Sequence, residues 1–234
     1  MLMELSKQLL AAYGPQGWWP VSGRFQPMEL EIIVGAVLTQ NTNWVNVEKA
    51  LAGMVARGLT TVETILSAPA EELETAIRPS GFYRQKAQRL KGLLEKVQLA
   101  GGLEHFLEKV TREELLSFMG IGPETADSIL LYAAGRPEMV VDAYTKRILG
   151  RVGVLAENQT SAQVKQFIGE RLEKDLVVYK EFHALLVKLA KEHCRTVPVC
   201  AGCPLRDRCA FARSQQALVS PLPGVRLPLG KMLK

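Results

Sequence analysis

The apolar residues of this chain recur mainly at the three- and four-residue spacing of amphipathic helices. Sustained alternation of apolar and polar residues, which would predict strands, is absent, although residues 139–141 can form a short extended link. A capping-box pattern, Thr111 with Glu114, predicts the start of a short helix. The longer helical segments are 1–13, 28–38, 43–56, 83–99, 123–134, 143–152, 161–172 and 179–193. We therefore predict an all-α fold.

Composition and charge narrow the class of protein. Of the 234 residues, 47% are hydrophobic and 23% are charged, which predicts a globular chain with a substantial core. The net charge of +5 and a pI near 9.0 favour a polyanionic partner, either nucleic acid or an anionic membrane. No apolar run approaches the ~20 residues of a membrane span, and the N-terminus lacks a signal-peptide layout. We therefore expect a cytoplasmic protein with no membrane partner.

All four cysteines lie in one short stretch with the spacing C-x5-C-x2-C-x5-C: Cys194, Cys200, Cys203 and Cys209. A tight cluster of cysteines in a cytoplasmic chain indicates metal or cluster ligation in preference to disulfides. Four thiolates from one loop can hold either a tetrahedral zinc ion or a [4Fe–4S] cluster. Zinc sites usually pair two close C-x2-C hooks, and only the central pair here is that close. The spacing therefore favours the cluster over zinc.

Two glycines interrupt the helical pattern in the segment F-M-G-I-G-P-E-T-A, residues 118–126. Gly120 and Gly122 permit a tight hairpin whose backbone amides are uncovered. Pro123 then begins a helix whose first N–H groups can bind a phosphate. An ordinary helix–helix turn explains the same pattern at least as well, so the hairpin alone does not specify a ligand.

Asp142 precedes a predicted helix in the segment V-D-A-Y-T-K-R, residues 141–147. It stands at the N-cap position, where aspartate is a favoured residue. A carboxylate at the mouth of a cleft can instead stabilise a positive sugar or orient a water molecule. Lys146 and Arg147 are candidates for phosphate contacts, with surface solvation as the alternative. No catalytic part is assigned to the three histidines, which do not cluster in sequence: His105, His183 and His193.

In this order, the hairpin, the V-D-x-x-x-K-R segment and the four-cysteine loop resemble the endonuclease III superfamily of DNA glycosylases. Upstream, L-T-Q-N-T at residues 38–42 is similar to that family's segment at the DNA-filling glutamine, which is Gln40 here. G-F-Y-R-Q-K-A at residues 81–87 is similar to its intercalating-wedge loop, with Phe82 at the wedge position. The resemblance covers residues 28–209 and is specific as a combination.

This resemblance implies a two-lobed glycosylase that binds double-stranded DNA across a cleft and flips a damaged base into a pocket. The implied parts are an N-terminal helix (1–21) joining the second lobe, a six-helix barrel (22–136), an iron–sulfur lobe (137–213) and an irregular tail (214–234). The four cysteines would bind the cluster, and Gly120, Gly122 and Thr125 would contact the DNA, with room for a monovalent cation at the hairpin. We expect a monomer, located with the nucleoid in a bacterium or archaeon.

One departure from the family pattern bears on the chemistry. Bifunctional members of the endonuclease III group have a lysine just before the hairpin threonine, and its amine forms the Schiff base that permits strand cleavage. Here that position is Glu124, and a carboxylate cannot form an imine. We therefore predict a monofunctional glycosylase in which Asp142 is the catalytic carboxylate.

The expected base follows from a narrower resemblance. The segments W-W-P, L-T-Q-N-T and R-P-S-G-F-Y look like the 3-methyladenine glycosylase branch, which excises alkylated purines. Aromatic faces stack well on bases, above all cationic ones, although core packing explains any single tryptophan better. The predicted pocket residues are Trp18, Trp19, Pro20, Trp44, Glu124 and Lys191. That branch need not carry the iron–sulfur loop, so this chain mixes the features of two branches.

The sequence leaves three other hypotheses of function open. The first is an endonuclease III-like enzyme that acts on oxidised pyrimidines or mismatched thymine. The second is a non-catalytic iron–sulfur protein that binds DNA. The third is a helical interaction protein stapled by zinc.

Overall fold

The computed structural model describes residues 1–156 and 158–219, without the side chains of residues 216–219. Over this part of the chain the fold is all-helical and has no strand, which confirms the predicted fold class. Its α-helices are α1 (Leu2–Tyr13), α2 (Met28–Leu38), α3 (Trp44–Val55), α4 (Val62–Ser67), α5 (Ala70–Ile77), α6 (Tyr83–Leu99), α7 (Leu103–Lys109), α8 (Arg112–Ser117), α9 (Pro123–Ser128), α10 (Ala143–Val152), α11 (Ser161–Gly169), α12 (Leu176–Glu192) and α13 (Ala210–Val219).

Local sequence signals set several of the helix starts. Thr111 caps α8 as predicted: its side chain accepts from the Glu114 amide at 3.1 Å, and Glu114 Oε2 accepts from the Thr111 amide at 2.7 Å. Asn43 caps α3 with a single hydrogen bond, in which its Oδ1 accepts from the Asn46 amide at 3.1 Å. The predicted helix over 123–134 begins as α9 and continues as a wider π-type turn, Ile129–Ala133.

The C-terminal prediction needs one correction. Irregular backbone was expected from Ser214, but α13 runs through residue 219. The stretch 210–219 contains neither glycine nor proline, so nothing in its sequence ends the helix early. The remainder of the predicted tail, residues 220–234, lies outside the described part of the chain.

The buried apolar side chains form two clusters. The first is drawn from residues between Phe25 and Leu130. The second contains Leu2, Leu5 and Leu9 of α1, together with residues from Leu131 to Leu205 and one from α2. The N-terminal helix thus packs with the C-terminal half of the chain. The exact boundaries of the two lobes stay predictions.

A buried carboxylate links helices of the two clusters. Asp127 on α9 accepts from Arg112 Nε on α8 at 2.7 Å and from Lys165 Nζ on α11 at 2.8 Å. Lys165 also contacts Glu138 Oε2 at 2.6 Å. Because a buried charge is costly without partners, this network favours one relative placement of α8, α9 and α11. Among the described helices, none is both long and apolar enough to cross a bilayer.

Candidate active site

A cavity of about 370 Å³ opens between the end of α2, the hairpin before α9, the start of α10 and the face of α12. Its volume lies in the range of small-molecule pockets. Many residues that the sequence predicts for the site line this one cavity: Trp18, Trp19, Gln40, Trp44, Gly120, Gly122, Glu124, Thr125, Asp142 and Lys191. The fold therefore brings together segments that are up to 173 residues apart in sequence.

Asp142 caps α10 and also faces the cavity. Its Oδ1 accepts two hydrogen bonds, from the backbone N and the Oγ1 of Thr145, both at 2.7 Å. Its Oδ2 lies 3.7 Å from Nε2 of His183, and only 12% of the Asp142 side chain is exposed. One carboxylate oxygen is thus fixed by the helix start, and the other remains directed to the site.

The electrostatics favour an ionised Asp142. Burial by itself raises the pKa of this carboxyl. His183 and the two Thr145 donors act in the opposite direction and outweigh burial, so the pKa of Asp142 lies below its ordinary value. A carboxylate held in its charged form is suited to stabilise positive charge on a sugar.

His183 is a site residue that the sequence did not indicate. It lies on α12, is buried, and lines the cavity beside Asp142. Its Nδ1 is 2.7 Å from the hydroxyl of Tyr132, which lies 51 residues away in the turn after α9. In the sequence, both residues occupy ordinary positions on the apolar faces of predicted helices, and neither belongs to a local motif. His183, for which the sequence indicates no catalytic part, thus lies next to the predicted catalytic group.

Glu124 lines the same cavity on the first turn of α9 and keeps access to solvent at its mouth. Its enclosed surroundings raise its pKa above the ordinary value, and the negative charge of Asp142 raises it further, while His183 opposes both. The position that carries a lysine in bifunctional relatives, according to the sequence resemblance, thus presents a second carboxyl group.

Aromatic rings form one wall of the cavity. The Trp19 ring centroid lies 5.4 Å from that of Trp44 and 5.1 Å from that of Tyr132, and Trp18 contacts Trp19 edge-on at 5.8 Å. Gly35 on α2 makes room for them, because a Cβ there would lie 3.3 Å from Nε1 of Trp19. Pro20 lies outside this wall, in a neighbouring hollow bordered by Trp44.

Gln40 is hydrogen-bonded to the hairpin. Its Nε2 donates to the Gly120 carbonyl and to Thr125 Oγ1, both at 3.0 Å, and its Oε1 accepts from Arg89 at 2.7 Å. The Arg89 side chain fills the space beside Gly120, because a Cβ on this glycine would lie only 2.1 Å from Arg89 Nε. The predicted DNA-filling residue and the hairpin therefore form one hydrogen-bonded unit.

Phe82 lies away from the cavity, with 62% of its surface exposed and a left-handed backbone conformation at φ 47°. This is the exposed position that an intercalating wedge requires. Behind it, the fully buried Lys86 donates to the carbonyls of Leu38 and Ser80 at 2.8 and 2.6 Å. Lys86 thus joins the wedge loop to the end of α2.

Lys146 and Arg147, the predicted phosphate contacts, have different surroundings. Arg147 Nε donates to the Cys194 carbonyl at 2.8 Å, and its guanidinium lies over the Tyr144 ring at 5.1 Å. Lys146 is half-buried, and within the described part of the chain it makes no ion pair. The geometry therefore gives Arg147 a structural contact that the sequence did not suggest.

The cysteine loop follows α12 and holds four free, half-buried thiols. Burial raises the pKa of the Cys203 thiol, the Leu205 amide opposes this, and the other three cysteines raise it further, so the four thiols interact. Arg151 of α10 donates to Cys194 Sγ at 3.5 Å, and its carbonyl accepts from Cys209 Sγ at 3.3 Å. Within the described residues, no three Cys, His, Asp or Glu side chains are close enough to hold a single metal ion.

A carboxylate at a helix start, a glycine hairpin and an aromatic-walled cavity define an all-helical protein of the helix-hairpin-helix class. The chain belongs to the HhH-GPD superfamily of base excision DNA repair proteins, whose pattern matches residues 34–174. It is 43% identical over 215 residues to a proposed DNA repair glycosylase of Methanocaldococcus jannaschii, covering 89% of this chain and 96% of that one. This confirms the family resemblance, and the protein is a DNA glycosylase of base excision repair.

Solved structures agree with this assignment. The chain is similar to an H. pylori 3-methyladenine DNA glycosylase (MagIII) bound to 1,N6-ethenoadenine, with a TM-score of 0.70 and 31% identity over 82% of this chain and 97% of that one. A non-covalent endonuclease III–DNA complex matches with a TM-score of 0.79 and 22% identity over 92% of this chain and 97% of that one, a likeness of fold. The first likeness agrees with the family assignment, and the second shows a shared fold.

Proposed function

We propose that this DNA glycosylase removes alkylated purines from duplex DNA by hydrolysis alone, with Asp142 as the catalytic carboxylate. The observation that carries the proposal is the pair of carboxyl groups, Asp142 and Glu124, facing an aromatic cavity where a bifunctional enzyme presents an amine. The 31% identity to a 3-methyladenine glycosylase that was solved with a modified adenine supports the substrate class.

The chemistry follows from the substrate's charge. An N-alkylated purine is cationic and leaves as a neutral base when its glycosidic bond breaks, so the departing electrons need little further stabilisation. Positive charge then develops on the sugar, where the ionised Asp142 is positioned to stabilise it. Water adds to the sugar carbon and loses a proton, and this completes the hydrolysis. Modest catalysis suffices for such a base.

The aromatic wall supplies the affinity for the flipped base. Indole rings attract a cationic ring more strongly than a neutral one, and they replace the stacking that the base loses on leaving the duplex. Trp18, Trp19 and Trp44 are held edge to face, so they present a rigid surface that pays little entropy on binding. Selectivity for cationic purines over normal ones follows from this wall and from the two carboxyl groups.

The cysteine loop fits a [4Fe–4S] cluster in its donor set, since it carries four free thiols, and one of them, Cys194, accepts a hydrogen bond from Arg151. The group would cross-link the loop through Cys194, Cys200, Cys203 and Cys209. It supplies no chemistry at Asp142, and no catalytic step depends on it.

Base release is the test of the substrate. Purified protein is incubated with methylated duplex DNA, and released bases are identified by mass spectrometry. Release of 3-methyladenine, lost in Asp142→Asn with duplex binding retained, is the expected result. Activity only on oxidised pyrimidines or on mismatched thymine would overturn the alkylated-purine proposal.

Borohydride trapping tests the absence of strand cleavage. Lys191 lines the cavity and is the amine to exclude, so Lys191→Ala is assayed beside the wild type. We expect no covalent enzyme–DNA adduct and no nicking from either protein. An adduct in the wild type that is lost in Lys191→Ala would show a lyase that uses a different lysine.

The metal content tests the cofactor. Iron and acid-labile sulfide are measured in protein purified without oxygen, together with the visible absorbance. A ratio of about four irons per chain, with broad visible absorbance, is expected of a cubane held by four thiolates. Stoichiometric zinc with a colourless protein would contradict the assignment, since zinc has a filled d shell.

A further inference from the structure

The buried pair Tyr132 and His183 has no place in the proposed mechanism, although it ends at Asp142. His183 Nε2 is buried, 3.7 Å from Asp142 Oδ2, and has no hydrogen-bond partner among the described residues. An unpartnered buried nitrogen costs free energy, so its position beside a carboxylate calls for an explanation. On the other side of the ring, Nδ1 is 2.7 Å from the Tyr132 hydroxyl.

The protonation of the ring can be worked out from these contacts. If Tyr132 donates to Nδ1, the neutral ring carries its hydrogen on Nε2. If Nδ1 donates to Tyr132, whose hydroxyl then turns to the Lys180 carbonyl at 3.4 Å, a neutral ring would present a bare Nε2 lone pair to the Asp142 carboxylate. That arrangement is repulsive, so this second case requires the imidazolium. In both permitted states Nε2 bears a hydrogen directed at Asp142.

We propose that His183 is a positioning residue for the glycosylase reaction, donating from Nε2 to the free oxygen of Asp142, with Tyr132 fixing its ring. The proposal rests on the proposed function, in which Asp142 is the catalytic carboxylate. Thr145 holds Oδ1, so Oδ2 is the oxygen that must meet the sugar or the water. A small rotation of the carboxylate shortens the 3.7 Å separation to a hydrogen bond.

The packing around the pair fixes its geometry. Trp18 lies edge-on to the His183 ring at 5.7 Å and contacts the Tyr132 ring at 6.1 Å. A base that is held against Trp18 therefore lies next to the same ring that orients Asp142. This arrangement connects occupancy of the pocket with the position of the carboxylate. The titratable groups that face the pair are Glu124 from α9, Asp142 before α10, and Lys180, Glu181 and Lys191 on α12.

The test compares two substitutions at one position. His183→Phe keeps a ring but removes the donor, whereas His183→Gln places an amide N–H near the former Nε2. Single-turnover base release is followed on methylated duplex DNA as a function of pH. We expect His183→Phe to lose about 10- to 100-fold in rate, the usual effect of one hydrogen bond to a charged group. Its acid limb should move to higher pH, because the lost donor favoured the ionised carboxylate. His183→Gln should recover most of the rate.

Tyr132→Phe is the second variant, and it keeps the packing of the ring. Its rate of base release should fall less than that of His183→Phe, and the acid limb of its pH–rate profile should move in the same direction. If His183→Phe does not fold, Tyr132→Phe provides the test. Equal losses in both His183 variants, with lowered Tm and an unmoved acid limb, would overturn the proposal in favour of packing alone. An active Asp142→Asn would overturn the proposed function itself. An inactive Asp142→Asn with fully active His183 variants would overturn only the positioning role.

Discussion

Arg147 Nε donates a 2.8 Å hydrogen bond to the Cys194 carbonyl, which ties the helix that begins at Asp142 to the first residue of the cysteine loop. One turn later, Arg151 donates to the carbonyls of Arg195 and Thr196 at 2.6 and 2.9 Å. Helix α10 therefore has two functions: its N-terminus presents the carboxylate, and its later turns hold the loop. A change that disorders the cysteine loop should therefore disturb α10 and, through it, the position of Asp142.

Arg147→Ala is expected to destabilise the loop with little effect on DNA electrostatics. Loss of one hydrogen bond costs about 1 kcal/mol, or roughly 2–4 °C in Tm for a chain of this size. The proposed cluster should also lose iron faster on dilution. The salt dependence of duplex binding should remain close to that of the wild type.

Lys146→Ala is the matched control for this prediction. It should leave Tm unchanged and lower the slope of log K against log salt by about 1, as expected for one lost phosphate contact. Should Arg147→Ala give the lower slope with an unchanged Tm, its contact with Cys194 would be incidental and the phosphate role predicted from sequence would hold.

The predicted wedge position, Phe82, offers a second prediction. Its backbone has φ 47°, a conformation that costs a bulky residue about 1–2 kcal/mol. Phe82→Gly and Phe82→Ala both remove the exposed ring, but only glycine relieves the backbone. We expect Phe82→Gly to be more stable than Phe82→Ala by about 1 kcal/mol in urea unfolding. Both should lose base release from duplex DNA more than from single strands. Equal loss on the two substrates would argue against a wedge.

Sequence reasoning worked where the signal is local. The hairpin glycines and the N-cap position of Asp142 each lie within a few residues, and the fold places both at one cavity. The cluster that the cysteine spacing favours stays a prediction. The longer helices followed from periodicity, but α7 was not predicted and α12 begins three residues before the predicted start. At residues 214–219 composition misled, although no helix breaker is present.

The residues that sequence reasoning missed are those whose role depends on distant partners. Tyr132 and His183 are 51 residues apart, and Lys86 meets Leu38 across 48. Tyr132 and His183 lie on apolar helix faces, where periodicity predicts core positions, whereas a lysine such as Lys86 is expected to be exposed. Arg147 looked like a surface cation because the return of the cysteine loop to α10 is a property of the tertiary fold. Only packing shows these contacts.

Glu124 supplies a third prediction, since its pKa is raised by its enclosed surroundings and by Asp142. Because the folded state holds this proton more tightly than the unfolded state, stability falls as pH rises through the window just above the ordinary glutamate value. Glu124→Gln has no carboxyl group to titrate, so its stability should not fall in this way. Its Tm should exceed that of the wild type at neutral pH, and the difference should disappear in acid.

The source of the effect can be separated with a second substitution. In an Asp142→Asn background, the neutral-pH gain from Glu124→Gln should shrink, because one contribution to the raised pKa is gone. Asparagine also caps helices well, so α10 keeps its start. A Tm that falls equally at both pH values on Glu124→Gln would show that the glutamate contributes packing or hydrogen bonds instead.

Lys86 yields the last prediction, because it is fully buried and joins the wedge loop to the end of α2. Burial lowers its pKa from 10.5 to about 8, and the charge of Arg89 contributes. Between these two values the unfolded chain binds the proton more strongly than the folded one. The contribution of Lys86 to stability should therefore rise as pH increases from about 8 to 10.5 and stay constant below that window.

Lys86→Met isolates this effect, since methionine has a similar length, no charge and no donor. The difference in free energy of unfolding, wild type minus Lys86→Met, is measured by urea titration from pH 7 to pH 10.5, and it should grow in favour of the wild type. Titrating groups elsewhere cancel in the difference. A difference that is flat with pH would mean that the two carbonyl acceptors, Leu38 and Ser80, keep the ammonium charged throughout. Lys86 would then be a permanently charged link between the Leu38 carbonyl at the end of α2 and the Ser80 carbonyl before Phe82.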